Sequence, residues 1–179
     1  MSAKAKETPR IYIAGPDLFL PDWPEYAARA TALCAEHGLE AVLPVPGIVL
    51  TGPGVTQRSD AAGAKKVSVG CRKAVGQAHG VIANLSPFRG TEPDSGTVVE
   101  CALAHVLGIP VIGFTSGIGH AAPVGTDEEG RLLAPDGGWI EQFGLSHNVM
   151  LHDVCLAIVE DPREAVAIMA DLLGKLEEN

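Results

Sequence analysis

The sequence has 179 residues, of which 46% are hydrophobic and 20% are charged, a composition typical of one globular domain rather than a disordered or membrane chain. The formal net charge of −9 at pH 7 argues against nucleic-acid binding, because there is no basic stripe to displace counterions from phosphates. Residues 1–179 are therefore expected to form a single domain, with residues 1–9 as a flexible tail. We find neither the apolar core of a signal peptide nor an apolar run long enough to span a membrane.

Several chemistries are disfavoured by the motifs that the sequence lacks. Four cysteines are scattered without a CxxC pair, which predicts neither a zinc site nor a disulfide framework, and suggests a reduced, cytoplasmic protein. The six histidines lack HExxH spacing, so no metal is indicated. Gly52-Pro53-Gly54 and Gly117-Ile118-Gly119 resemble fragments of phosphate loops, but neither continues as GxGxxG into a helix after the first strand. GxxxxGK[ST] and GxSxG are also absent, and no cofactor is expected.

Apolar strands and helices alternate along the chain. In chain order, the pattern predicts a strand at 10–15, a helix at 22–38, a strand at 39–43, a loop at 44–63, a helix at 64–78, a strand at 81–85, a helix from 94 or 95 to 108, a strand at 109–114, a loop at 115–138 with a small hairpin at 127–131, a helix at 139–153, a strand at 155–159 and a terminal helix from 161. This alternation predicts an α/β fold of three layers around a parallel sheet of about five strands. Ligands of such sheets bind beyond the carboxyl ends of the strands.

The segment Ser86 to Glu100, SPFRGTEPDSGTVVE, combines acids with an apolar run. Glu100 lies in a helix, and positions four apart share a face, so its carboxylate is expected to overhang Gly96, which leaves space beside it. The helix N-terminus is expected to favour the ionised form, which suits a nucleophile. Alternatively, Glu100 pairs with a base such as Arg89 on a solvated face. Asp94 has a purely structural alternative as the helix N-cap, and the two roles are compatible.

Aromatic residues flank the predicted ligand site. Tyr12 in the first strand is either a core residue or one whose ring is buried while its hydroxyl reaches the upper edge of the sheet. Phe19, Trp23 and Phe88 fall on loops at that edge, where aromatic rings either sandwich a planar base or cover the core.

These segments together resemble the nucleoside 2-deoxyribosyltransferase family. The resemblance rests on IYIAGP at residues 11–16, on SPFRG followed by Glu92-Pro93-Asp94 and Gly96-Thr97, on Glu100, and on a late Asn-x-Met segment at Asn148 to Met150. It runs from about residue 10 to the C-terminus and is strongest to the branch with the SPFRG-x-EPD motif.

The resemblance implies a flavodoxin-like sheet and a two-step exchange of the base of a 2′-deoxynucleoside. Glu100 would attack C1′ and form a deoxyribosyl ester, Tyr12 would hold its carboxylate, and Asp94 would help to protonate the leaving base. Asn148 and Met150 would come from a neighbouring subunit of a homo-oligomer. The remaining substrate-binding residues implied are Gly15, Pro16, Phe19, Ser86, Phe88, Arg89 and Gly96.

Two positions depart from the family pattern, and two rival functions remain. Asn84 stands where family members often have an acid, and Cys71 where they tend to have Asn or Asp. One rival is a deoxynucleoside or deoxynucleotide N-glycoside hydrolase. The deoxynucleotide hydrolases of the superfamily place a serine where Asp94 stands, and a carboxylate there would repel a phosphate. The other is a nucleoside-binding module without turnover.

Overall fold

A five-stranded parallel sheet forms the centre of the protein. The computed structural model describes residues 7–44, 61–117, 119 and 122–177. The strands, in chain order, are β1 (Arg10–Ala14), β2 (Glu40–Val42), β3 (Gly80–Asn84), β4 (Val111–Phe114), β5 (Gly125–Thr126), β6 (Leu132–Leu133) and β7 (Ala157–Val159). The central sheet has the order β2-β1-β3-β4-β7 with every neighbouring pair parallel, which is the flavodoxin-like order. The predicted fold class is confirmed.

Helices cover both faces of this sheet and make the outer two layers. They are α1 (Trp23–Glu36), α2 (Ala61–Gly76), α3 (Ser95–Val106), α4 (Val149–Val154) and α5 (Pro162–Glu177), and a short 3-10 turn spans Pro16–Phe19. One core cluster joins the sheet to α1 and α5, and a second joins it to α2, α3 and α4.

The side chains of β1 alternate between the two faces of the sheet, so this strand packs against both layers of helices. Ile11 and Ile13 point towards α1 and α5, whereas Tyr12 and Ala14 point towards α2 and α3, because successive side chains of a strand face opposite sides. All five residues of β3 are buried, as expected of a central parallel strand. Tyr12 is therefore fixed on the face of the sheet that carries α3.

The helix predicted at 139–153 is wrong over most of its length. Only Val149–Val154 is helical. Trp139 instead forms a bridge with Leu133, and Ile140 N donates to Leu132 O at 3.0 Å, so the start of the segment pairs with the hairpin. Gly144 has φ +71°, a left-handed conformation that interrupts a helix.

The hairpin predicted at 127–131 is confirmed as the turn between antiparallel β5 and β6. The Asp127 carboxylate accepts from the backbone amides of Glu129 and Arg131 at 3.0 and 2.9 Å. The helix predicted from residue 64 begins at Ala61. Residues 1–6 of the expected tail and residues 45–60 of the expected loop, including Gly52-Pro53-Gly54, lie outside the described residues. Among the described helices, none has the length and apolarity needed to cross a membrane.

The strand order reverses between β1 and β3. The chain passes from β1 to β2 on one side of the sheet, and from β3 to β4 on the other. The crevice beyond the carboxyl ends of β1 and β3 is where open α/β sheets bind ligands. The 3-10 turn follows β1 there, and the segment 85–94 follows β3.

Candidate active site

Tyr12 and Glu100 meet at this crevice although 88 positions separate them. Tyr12 is fully buried, and its hydroxyl donates to Glu100 Oε1 at 2.7 Å. Tyr12 is therefore both a core residue and a contact of the acid, because its ring lies in the core while its hydroxyl reaches Glu100. Burial, followed by the charge of Glu100, raises the pKa of Tyr12 far above its usual range. The phenol thus remains a donor at physiological pH.

Cys71 of α2 is a third member of this cluster. Its thiol lies close enough to the Tyr12 hydroxyl and the Glu100 carboxylate to affect the pKa of both. Burial is the main cause that raises the pKa of this thiol, so it stays protonated. The sequence marked Cys71 only as a departure from the family pattern. Its contact with Glu100 depends on how α2 packs against α3, which no local pattern predicts.

The environment of Glu100 raises the pKa of its carboxyl group, against the expectation that the helix N-terminus would favour the ionised form. Burial is the largest cause, and the negative charge of Asp94 adds to it, while the hydrogen bonds from Tyr12 and Cys71 act in the opposite direction. Glu100 is the sixth residue of α3, beyond the first turn in which the helix dipole acts strongly. The two donors, rather than the dipole, support the ionised carboxylate.

Arg89 does not provide the ion pair considered as an alternative for Glu100. Its guanidinium carbon lies 4.7 Å from the centre of the Phe88 ring and 5.7 Å from that of Phe19, distances typical of cation–π contacts. Arg89 has φ +54°, which turns the chain sharply after Phe88. The turn is closed by Phe88 N, which donates to Glu92 O at 3.0 Å.

Phe19 and Phe88 form an aromatic wall at the mouth of the crevice. Their ring centres are 6.0 Å apart with an interplanar angle of 25°, within the range of a direct aromatic pair. The rings thus contact each other. Trp23 is not part of the wall, since it stacks on Tyr26 of α1 at 5.9 Å.

Asp94 is the N-cap of α3, as its structural alternative predicted. Its Oδ2 atom accepts from Thr97 N at 2.9 Å and from Thr97 Oγ1 at 3.1 Å. Asp94 is half-buried, and its charge acts on Glu100, so the cap also places a second carboxyl near the first. A Cβ atom on Gly96 would lie 3.0 Å from Asp94 Oδ2. Gly96 therefore makes room for Asp94, rather than for Glu100 as expected.

Gly15, Pro16 and Ser86 lie at the carboxyl ends of β1 and β3. Pro16 is buried at the start of the 3-10 turn. Ser86 Oγ accepts from Ser116 N at 3.0 Å, which ties the end of β3 to that of β4. A Cβ atom on Gly15 would lie 2.6 Å from Asp17 Oδ2 and 3.0 Å from Asn84 Cβ. Asp17, which the sequence analysis missed, is thus packed directly against Gly15.

We expect Gly15→Ala to destabilise the protein by about 1–3 kcal/mol, the usual cost of overpacking a close-packed interior. The added methyl group must displace either the Asp17 carboxylate or the backbone that carries it. Gly174→Ala is the matched control, because Gly174 lies inside α5 with no atom within 4 Å of the added Cβ. Alanine at a helical position stabilises by about 0.5–1 kcal/mol. Urea unfolding of the two variants should thus give changes of opposite sign, and equal changes would contradict the close packing at Gly15.

Asn148 and Met150 belong to α4. Asn148 is its N-cap, with Oδ1 accepting from Met150 N at 2.9 Å, and its side-chain amide donates to Glu141 Oε1 at 2.8 Å. The contacts of Asn148 within the chain are thus with its own segment rather than with Glu100. Met150 is 71% exposed. His147, another residue that the sequence analysis missed, is buried with Nε2 3.0 Å from Leu85 O, and thereby holds this segment against the end of β3.

The described residues contain no group of three or more His, Cys, Asp or Glu side chains arranged to hold a metal ion. What the crevice does contain is a carboxylate with two fixed donors, a second carboxylate nearby and an aromatic wall. Two carboxyl groups in different environments are the equipment of double-displacement glycosyl chemistry, in which one acid bonds to the sugar and the other handles protons.

Two solved structures resemble this chain in fold. A solved 2-desoxiribosyltransferase from Leishmania mexicana is 30% identical with a TM-score of 0.66, over 91% of this chain and 97% of that one. A 2-deoxyribosyltransferase from Bacillus psychrosaccharolyticus shares the fold at 17% identity and a TM-score of 0.57, over 89% and 95% of the two chains.

Sequence comparison gives the family. An uncharacterized protein of Schizosaccharomyces pombe is 30% identical over 116 residues, which are 64% of this chain and 53% of that protein, so this chain spans about half of its length. The family model described as nucleoside 2-deoxyribosyltransferase matches residues 11–150, well over half of the chain. This protein therefore belongs to the nucleoside 2-deoxyribosyltransferase family.

Proposed function

We propose that this protein is a nucleoside 2-deoxyribosyltransferase that exchanges the base of a 2′-deoxynucleoside through a covalent intermediate on Glu100. The observation that carries the proposal is the 2.7 Å hydrogen bond from the buried Tyr12 hydroxyl to Glu100 Oε1. A donor held by the core fixes the direction of the carboxylate, and orientation of a nucleophile lowers the entropic part of the barrier.

In the first half-reaction, a Glu100 oxygen bonds to C1′ of the sugar while the bond from C1′ to the base nitrogen breaks. The electron pair of that bond leaves with the base, which takes a proton from the carboxyl group of Asp94, protonated in the substrate complex. In the second half-reaction, a nitrogen of an incoming base bonds to C1′ and the ester bond to Glu100 breaks. The acceptor proton returns through Asp94, so the enzyme is regenerated. Retention at C1′ follows from the two displacements.

The sugar is proposed to be 2′-deoxyribose. Glu100 must approach C1′ closely, and a 2′-hydroxyl beside it would need both space and a hydrogen-bond partner. The hydroxyl of Tyr12, the donor beside Glu100, is already engaged with the carboxylate. A buried hydroxyl without a partner costs about 1–3 kcal/mol, which favours 2′-deoxyadenosine over adenosine.

The site is proposed to be completed by a second copy of the chain that supplies Asn148 and Met150. Support comes from the exposed apolar side chains of the segment around them, where Trp139 and Phe143 are 65% and 69% exposed. Large apolar residues concentrated in one exposed segment are typical of a surface that another protein covers.

A subunit-mixing experiment tests the shared site. Glu100→Gln and Asn148→Ala are expected to be inactive alone. In a mixed dimer, one of the two sites has both a wild-type Glu100 and a wild-type Asn148. After unfolding and refolding together, an equal mixture should therefore regain about a quarter of wild-type activity, by the statistics of a two-fold assembly. Each variant refolded alone is the control, and a mixture that stays as inactive as both would contradict the sharing.

The proposed activity is tested by chromatography of purified protein incubated with 2′-deoxyinosine, with and without adenine. Formation of deoxyadenosine only when adenine is present supports base exchange. Release of hypoxanthine without deoxyadenosine identifies a hydrolase instead. Absence of base release from deoxyinosine, thymidine and the deoxynucleoside 5′-monophosphates leaves a binding module and refutes the enzymatic proposal.

A further inference from the structure

A buried carboxylate and a buried amide face each other behind the aromatic wall. Asp17 and Asn84 are 7% and 9% exposed, and Asn84 Nδ2 donates to Oδ1 and Oδ2 of Asp17 at 3.1 and 3.0 Å. The Tyr26 side chain of α1 lies near the Asp17 carboxylate and acts to lower its pKa. On the other side, Asn84 Oδ1 accepts from Ser86 N at 3.1 Å. The Asp17–Asn84 pair is thus one hydrogen-bonded unit inside the protein.

This pair joins the two loops that carry the aromatic wall. Asp17 lies in the 3-10 turn that ends at Phe19, and Asn84 is the last residue of β3, just before the loop of Phe88. Phe19 is 46% exposed and Phe88 is half-buried, so packing against the core fixes the wall only in part. The separation of the two rings also depends on how firmly the turn is held to the end of β3.

We propose that Asp17 and Asn84 are positioning residues. By pairing one carboxylate with one amide at the point where the strand order reverses, they hold the rings of the aromatic wall at the separation that the nucleobase requires. This inference deepens the proposed function, and rests on it for the identity of the ligand. Neither side chain is assigned a contact with substrate. The requirement is complementarity, since the pair needs one donor and one acceptor at these two positions.

Complementarity explains why this chain has an amide at position 84. An acid there would place a second carboxylate about as far from Asp17 as Asn84 Nδ2 now is, at 3.0–3.1 Å. Burial already raises the pKa of Asp17, and Asp22 adds to this, whereas Asn84, the Asp17 backbone and Tyr26 oppose it. Two buried carboxylates so close together do not both ionise, and one takes up a proton.

The test compares Asn84→Asp with the reversed pair Asp17→Asn/Asn84→Asp. At pH 7, we expect Asn84→Asp to raise KM for the deoxynucleoside by about tenfold or more, because a misplaced binding group weakens binding steeply. The change in kcat should be smaller, because Tyr12 and Glu100 do not contact the pair. The reversed pair should recover most of the wild-type KM, since it restores one amide and one carboxylate.

A second readout does not depend on activity. In Asn84→Asp, the folded pKa of one carboxyl is raised above its unfolded value, so the folded state binds more protons than the unfolded state, and stability falls as pH rises through that folded pKa. The Tm deficit relative to wild type should therefore be large at pH 7 and shrink towards pH 4.5. The reversed pair should show a much smaller deficit at pH 7. If Asn84→Asp fails to fold at pH 7, its folding at pH 4.5 and the reversed pair still test the inference.

Gln77→Glu is the matched control, because it makes the same change from amide to acid at an exposed position and should leave KM and Tm unchanged. The inference is overturned if wild type is active while Asn84→Asp keeps wild-type KM, whatever its Tm, or if the reversed pair does no better than Asn84→Asp. A different set of results is expected if the proposed function, rather than this inference, is wrong. Wild type is then inactive with every deoxynucleoside, yet the pH-dependent Tm deficit of Asn84→Asp persists.

Discussion

Glu100→Gln should lower base exchange by about 10³-fold or more, the scale on which enzymes lose rate when a covalent nucleophile is removed. The substitution keeps the size of the side chain and an oxygen that accepts from Tyr12, so the site should stay assembled. What it removes is the charged oxygen that bonds to C1′. The measurement is the rate of deoxyadenosine formation from deoxyinosine and adenine, with binding of deoxyinosine followed separately by calorimetry.

The same variant should be more stable than wild type at pH 7. The environment of Glu100 raises the pKa of its carboxyl in the folded protein. Between its unfolded and folded pKa values, the folded state holds a proton that the unfolded state has already released, so stability falls as pH rises through the raised pKa, and above it the buried carboxylate is charged. Glutamine has no charge to bury and escapes this loss. For a chain of this size, each kcal/mol gained raises Tm by about 2–4 °C.

Glu128→Gln is the matched control, since it removes the same charge from an exposed residue of the hairpin. Its activity and its Tm should both equal those of wild type. If Glu100→Gln retains activity within tenfold of wild type, the covalent role of Glu100 is wrong. If Glu100→Gln loses activity and its Tm also falls, the carboxylate stabilises the fold. That result would contradict the destabilisation expected from its raised pKa.

Local patterns in the sequence were sufficient for the fold and for part of the site. Near-continuous apolar runs such as that of β3 identify buried parallel strands, and the alternation of strands with helices fixes the parallel order. Asp94 was recognisable as an N-cap because capping is read from a few neighbouring residues. The helix predicted at 139–153 failed because Trp139 and Ile140 pair with the hairpin, a tertiary contact that overrides local preference.

The contacts that define the chemistry were less predictable, because they join residues far apart in the chain. Asn84 and Asp17 are 67 positions apart, and the contact of Cys71 with Glu100 depends on the packing of two helices. The direction of the pKa shift of Glu100 was misjudged for a different reason. Its position in α3 suggested the field of the helix N-terminus, whereas burial, which depends on the whole fold, has the larger effect on its pKa.

Tyr12→Phe should lower kcat/KM by about 10–100-fold, since a hydrogen bond to a charged group contributes about 1.5–3 kcal/mol. The phenyl ring keeps its place in the core, so the loss reports on the hydroxyl alone. Because the bond from Tyr12 lowers the pKa of Glu100, its removal should raise that pKa. The acid limb of the profile of kcat/KM against pH, which follows ionisation of the nucleophile, should then move to higher pH.

Cys71→Ala provides the graded comparison, because the Cys71 thiol also lowers the pKa of Glu100, but by less than Tyr12 does. Its acid limb should move in the same direction by a smaller amount, with a smaller loss of kcat/KM. A purely structural role for Tyr12 would lower activity equally at all pH values and leave the limb in place. A displaced limb, larger for Tyr12→Phe than for Cys71→Ala, therefore distinguishes a donor that supports the ionised nucleophile from a residue that only packs beside it.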